Sequence, residues 1–344
     1  MAEVVKYSYS IRPVNQARKE IVGLYAEPED SLDMIYIGAS TAYRSWSPMK
    51  AWGKRGIASY TFSSQGSPAS LQQNLLIESL KEQDPKLIIL DLYPFVMRER
   101  GKEYTVDHIK NVSNAFKYSL NRANMIDSFQ EYDLKSLTKE EVRYLKYDLF
   151  ANNDAQHKVN KLSQKYKNND VPCPSKGFRI RSPKVKPVHY SRNIDHIDDT
   201  IELSTETDII FNELLDYIDK KKLNVLFTFA PMSMDIEKKK VVNTFEERVV
   251  AEGYVFFDSV DHYKKMGIDF ATDFYNRIHM NTLGAHKYTD YLAEYIDARY
   301  DLPDRRSDEK YELWNRDYKM YTEVANKNTQ DLKAIIIEHE REKT

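Results

Sequence analysis

Two short stretches carry side chains that together can do nucleophilic chemistry. The first is Ile37-Gly38-Ala39-Ser40-Thr41-Ala42-Tyr43, with a serine just past an apolar run. A serine at a strand-to-helix turn has an accessible hydroxyl and lies near helix-start N–H groups that can stabilise an oxyanion. The same pattern is also that of a plain helix cap. The second stretch is Asp273-Phe-Tyr-Asn276-Arg-Ile-His279-Met-Asn281-Thr-Leu-Gly284. It places a histidine in a loop before a helix, with an amide three residues ahead and a carboxylate six residues ahead. A serine needs a neutral imidazole to take its proton, and that imidazole needs a partner on its other nitrogen. Taken alone, His279 also reads as a surface histidine.

The elements that must position these residues follow from apolar patterning. Short apolar runs at 33–38, 56–62, 85–92, 224–229 and 254–257 read as strands, the third of them almost continuously apolar, as a parallel sheet requires. Helical patterns occupy 68–81, 203–222, 235–252 and 283–300. Strands alternating with helices predict a three-layer α/β/α, flavodoxin-like parallel sheet, and sites on such sheets form at the carboxyl ends of the strands. The alternation stops between about 95 and 202. Residues 104–168 are polar and helix-patterned, and 169–192 are irregular and contain prolines, so this stretch reads as a helical insertion. The expected organisation is one domain over 1–303 and a charged helical C-terminal extension over 304–344.

Composition narrows the class. The chain has 344 residues, 41% of them hydrophobic, enough to bury a core. With 51 basic and 53 acidic residues, it offers no whole-chain attraction to nucleic acid. The single cysteine, Cys173, excludes an intrachain disulfide framework and a multi-cysteine metal site. There is no His-Glu-x-x-His and no Gly-x-x-x-x-Gly-Lys loop, so neither a metal nor a nucleotide cofactor is expected. The start of the chain lacks an apolar h-region, which reads as cytoplasmic if Met1 is the native start.

Set side by side, the two stretches resemble the SGNH (GDSL-like) hydrolases. The resemblance is nearest to a bacterial cell-surface branch related to polysaccharide and peptidoglycan O-acetyltransferases, and is looser to the D-alanyl transfer proteins of teichoic acid. It is carried by Tyr25 to Ser40, Pro48-Met-Lys-Ala-Trp52, Gly56-Ile-Ala-Ser-Tyr60, Ser64-Gln65-Gly66, Pro85 to Asp91 and His279-Met-Asn-Thr-Leu-Gly-Ala285, with Lys176-Gly-Phe178, Pro231 and Asn243 in keeping. It implies Ser40 as nucleophile, His279 as general base, and the N–H groups of Ser40 and Gly66 as oxyanion donors. It also places Gln65 among the substrate contacts.

The sequence departs from the family pattern at two places. Asn276 stands where the family has its acid, and Tyr93-Pro-Phe follows Leu92 where many members carry an oxyanion asparagine. In serine proteases the corresponding Asp→Asn change lowers turnover by about 10⁴. Three readings stay open: Asp273 supplies the third member, Ser40 and His279 act as a dyad, or the site binds without catalysing.

The implied function is serine-dependent transfer or hydrolysis of O-acetyl or similar acyl groups on a cell-surface polysaccharide. The implied partners are that glycan and a membrane-bound acyltransferase as donor. The implied location is extracytoplasmic, with an anchor helix ahead of residue 1. The competing readings are a glycan-binding or assembly protein on the same fold and a cytoplasmic small-molecule esterase.

Around the motifs, Tyr43, Trp46 and Trp52 read either as a sugar-stacking wall or as core. Lys176, Arg179, Arg181, Lys184, Lys186 and Arg192 form an acid-free basic run. It either meets an anionic ligand, with Lys176 and Arg179 in contact, or pairs with the acidic stretch Asp195 to Asp208 that follows; pairing is favoured.

Overall fold

The structure is a computed structural model and describes residues 19–147, 160–161, 164–165, 168, 175–190 and 192–342. Cys173, and most of the expected helical pattern beyond 147, lie outside the described residues.

Five strands form one parallel sheet: β1 (Met34–Gly38), β2 (Ser59–Ser63), β3 (Leu87–Asp91), β4 (Val225–Phe229) and β5 (Val255–Asp258), in the order β2-β1-β3-β4-β5. This is the doubly wound flavodoxin-like order, whose switch point lies between β1 and β3. Both faces are covered, so β1 to β4 are buried along their whole length.

A one-turn helix α1 (Lys19–Val22) precedes the sheet. On one face lie α2 (Ala42–Ser45), α3 (Pro48–Arg55), α12 (Thr282–Asp297) and the 30-residue α13 (Glu312–Arg341). On the other lie α4 (Gln72–Ser79), α5 (Tyr93–Glu99), α9 (Thr205–Lys221) and α10 (Ile236–Ala251). Phe95, Phe211, Phe227 and Phe245 pack edge-to-face on this second side. The insertion contributes α6 (Val106–Ser113), α7 (Leu120–Tyr132) and α8 (Lys139–Tyr147), as its pattern predicts. Helix α11 (Ser259–Met266) follows β5.

The C-terminal helix is part of the packed body. Trp314 packs on Trp52, Tyr318 lies against Gly53, and the Tyr321 hydroxyl bonds Ser47 Oγ at 2.6 Å. Charge dominates its sequence, but Trp314, Tyr321, Ala325 and Leu332 recur at helical spacing and form the buried stripe.

One buried carboxylate ties the strand ends together. Asp91, the last residue of β3, accepts from Thr41 Oγ1 at 2.6 Å, from the Tyr93 N–H at 3.0 Å, and from the Ala230 N–H just after β4. Burial lifts its pKa to about 6 against these three donors, which favour the charged form. Gly38 is required beside it, because a Cβ there would stand 2.9 Å from Asp91 Cβ. Replacing Asp91 with Ala strands three buried donors, each costing about 1–3 kcal/mol. Urea unfolding of Asp91→Ala is therefore expected to show a loss of roughly 3 kcal/mol or more; a midpoint unchanged from wild type would show that Asp91 is not the anchor.

Candidate active site

Ser40 sits two residues past the end of β1, on the turn into α2, and is almost fully buried. Asp91 holds the neighbouring Thr41, which fixes that turn. His279 does not lie in a loop, as its sequence context suggests. It opens β7 (His279–Met280), which pairs antiparallel with β6 (Phe274–Asn276), and Asn276 and His279 face each other across the two-residue turn. The hairpin is pinned at both ends. The Ser233 N–H donates to Arg277 O at 2.8 Å. Asn281 caps α12 through the Leu283 and Gly284 N–H groups and reaches back to Thr272 O. Its own N–H donates to Asp273 O.

This scaffold brings Ser40 Oγ within 2.8 Å of His279 Nε2, across 239 positions of sequence. On the other side of the ring, Asn276 Nδ2 lies 3.0 Å from His279 Nδ1. The orientation of that amide is dictated by its surroundings. Asn276 Oδ1 accepts from the Ile278 N–H at 3.1 Å and from the His279 N–H at 3.0 Å. Flipping the amide would turn an NH₂ against two N–H donors. Nδ2 therefore donates to Nδ1, the ring proton resides on Nε2, and His279 donates to Ser40 Oγ. A general base for Ser40 requires the opposite tautomer.

The ring is also held neutral. Burial lowers its pKa to about 3, and the positive charges of Arg44, Arg181, Lys102 and Arg179 add to the shift in that order. Asp273 is not the third member of a triad. Its carboxylate accepts from the Asp269 N–H and from Lys287 Nζ, both at 2.7 Å, and it serves the turn under the hairpin.

Gly66 lies in the turn after β2 with φ at +67°, and a Cβ there would come 2.5 Å from His108 Cδ2. His108 accepts the Thr105 N–H at Nδ1, which leaves its Nε2–H beside Gly66. Gln65 is exposed on the same turn.

The aromatic wall does not form. Trp46 is fully buried, stacks on Tyr36 and donates Nε1 to Ser59 Oγ. Tyr43 is buried beneath the Arg179 guanidinium, and Trp52 is buried against Tyr311 and Trp314.

Among the described residues, the basic run is not paired with the acids that follow it. Arg179 bonds Glu20 at 2.8 Å. Lys176 is buried with Glu27 and Asp317, over the Trp314 ring. It lines a cavity of about 1000 Å3 that neither Ser40 nor His279 lines, so it makes no contact at the candidate site. The acids find other cations: Asp195 pairs Lys264, Asp199 pairs Lys240, Glu206 pairs Arg98 and Lys135, and Asp208 pairs Arg248. Packing gave Lys176, Arg179 and these acids nearer partners.

Arg44 and Lys102 are site cations that the motif reading missed. Arg44 lies four residues after Ser40, one helical turn on, which is the signal that could have found it. Lys102 has no sequence signal, because the insertion brings it to the site.

No family model and no curated protein sequence matches the chain.

The tautomer has a direct readout. Imidazole nitrogen shifts of His279 are expected to show an unprotonated Nδ1 and a protonated Nε2, unchanged between about pH 5 and 8. A proton on Nδ1, or a titration near the ordinary value of about 6.5, would overturn this description of the site.

Proposed function

We propose that the chain is a serine-dependent acyl-ester transferase or esterase of the SGNH type, acting on O-acetyl or similar acyl groups of a cell-surface polysaccharide. The observation that carries the reading is the 2.8 Å contact between Ser40 Oγ and His279 Nε2 at the carboxyl edge of a doubly wound sheet. The order of the motifs along the chain adds the resemblance.

In this reading Ser40 Oγ attacks the ester carbon while its proton passes to Nε2. The Ser40 and Gly66 N–H groups receive the oxyanion. The leaving alkoxide takes the proton from His279, and an acyl-serine remains. A glycan hydroxyl or water then attacks it, with His279 again as base. Each cycle starts from a ring that points its own N–H at Ser40, so the tautomer must exchange first. Rotating the Asn276 amide to assist would cost two backbone hydrogen bonds. Turnover is accordingly expected to be slow.

The same observation favours a second reading, in which the site binds an acylated glycan with little turnover.

Slow release of nitrophenol from nitrophenyl acetate, lost in Ser40→Ala and in His279→Ala, is the expected result. Activity surviving both changes would place the chemistry elsewhere. Asn276→Asp keeps the two backbone acceptor bonds, accepts from an Nδ1–H and balances an imidazolium. It should raise turnover about ten-fold or more. Wild type and Asn276→Asp both inert, with glycan binding intact, would leave the binding reading standing.

Among the described residues no helix is long and apolar enough to cross a membrane. The resemblance supports an extracytoplasmic placement, held by an apolar helix encoded ahead of Met1 and served by a membrane-bound acyltransferase as acyl donor. Reading the upstream codons tests the anchor: a ribosome-binding site directly before Met1 would remove it.

A further inference from the structure

Arg44 is 5% exposed, yet among the described residues no carboxylate matches its guanidinium. Nη1 donates to Arg179 O at 2.7 Å, and the group lies 5.0 Å from the centre of the Tyr275 ring, next to Asn276 in sequence. Burial of an arginine without a carboxylate partner is rare, because desolvating the charge is costly. The charges nearest Arg44 make this worse, since Arg181 and Arg179 both oppose its protonated form.

Three more cations stand around the same point. Lys184 Nζ lies 5.2 Å from the Tyr275 ring, on the strap of chain over the hairpin. Arg181 is exposed on that strap, and α13 holds its backbone through a bond from Asn328 Nδ2 to Arg181 O at 2.8 Å. On the side of the insertion, Lys102 Nζ lies 5.7 Å from the Tyr93 ring and 5.1 Å from the Tyr104 ring.

Among the described residues, Arg44, Lys102, Arg181 and Lys184 form no ion pair with a carboxylate, whereas the buried Lys176 and Lys239 do, with Glu27 and Asp258. Acids are not scarce, at 53 against 51 bases. The excess of positive charge is local to Ser40 and His279, and its field reaches the His279 ring.

The geometry points to a ligand that carries an oxyanion, a carboxylate or a phosphate, seated on Arg44 beside Ser40, with Arg181, Lys184 and Lys102 around it. Arg44 offers a planar, partly dehydrated fork for such a group. The exposed cations draw the ligand in and hold its flanks. This rests on the acyl-transfer reading only in naming what the substrate carries next to its ester; the anion site itself needs no turnover.

Calorimetric titration of the Ser40→Ala protein separates the two questions. The probes are trigalacturonate, glycerol phosphate and neutral galactotriose. At least one anionic probe is expected to bind about ten-fold tighter than the neutral one, and more weakly as salt is raised. The arm that binds distinguishes a carboxylate from a phosphate. Arg44→Gln should remove that preference. Arg181→Gln with Lys184→Gln, both on exposed positions, should reduce it without disturbing the buried packing. Equal affinity for all three probes, or a charge preference that survives both variants, would overturn the inference. Nitrophenyl acetate hydrolysis by the Ser40-containing protein is read separately. An anion preference without hydrolysis removes the acyl-transfer reading and leaves the anion site. Ser40-dependent hydrolysis without an anion preference removes the anion site alone.

Discussion

The Asp91 carboxylate is the constraint on which the site depends. It is buried at the carboxyl end of β3 and receives donors from the turn after β1, from the N–H two residues further along its own chain and from the residue after β4. Parallel strands have no tight turns joining them at this edge, so their ends diverge unless something gathers them. A single acceptor with two oxygens does so here. Gly38 keeps β1 close enough for Thr41 to reach it. The position of Ser40 therefore follows from a charge that burial itself disfavours, held in place by three hydrogen bonds.

Opposite Ser40, the hairpin of β6 and β7 acts as a rigid bracket. Asn276 uses its carbonyl oxygen to close the turn and its NH₂ to fix the ring of His279. An aspartate could make the same turn, because the turn asks only for an acceptor. The choice of amide over acid therefore leaves the backbone as it is and changes the polarity of the imidazole. With four cations acting on a half-buried ring, the imidazolium form is doubly disfavoured. A neutral ring with a proton on Nε2 suits binding and slow proton transfer better than rapid acyl transfer. The same field suits an anionic ligand.

The strap at 175–190 and helix α13 join distant segments to this bracket. The Arg179 N–H bonds Tyr43 O, the Lys186 N–H bonds Phe274 O, and Asn328 holds Arg181 O. The tail and the middle of the chain thus both end at the candidate site. Lys176 faces the other way, into the buried Glu27 and Asp317 pair, where leaving it alone would be more costly than its attraction to any surface ligand.

The sheet was legible because near-continuous apolar runs of strand length, alternating with helical patterns, admit few arrangements; all five strands fall within two or three residues of those runs at either end. Ser40 and His279 were ambiguous singly, as a helix cap and a surface histidine, and only the order of their two stretches and the resemblance it carries set them side by side. The partners of charged side chains were not legible. The acid-free run next to an acidic run suggested neighbours pairing, but ion pairs form between groups that packing brings together, and packing sent Lys176 to Glu27 and Glu206 to Arg98. Nor could composition tell a stacking wall from a core, since Trp46 differs from an exposed tryptophan only in what covers it. Residue types and periodicity determined the sheet, and the order of the two motifs suggested the Ser40 and His279 pair. Which nitrogen of His279 carries the proton, and which cations surround it, was decided only by the tertiary structure, because both depend on atoms that meet across the fold.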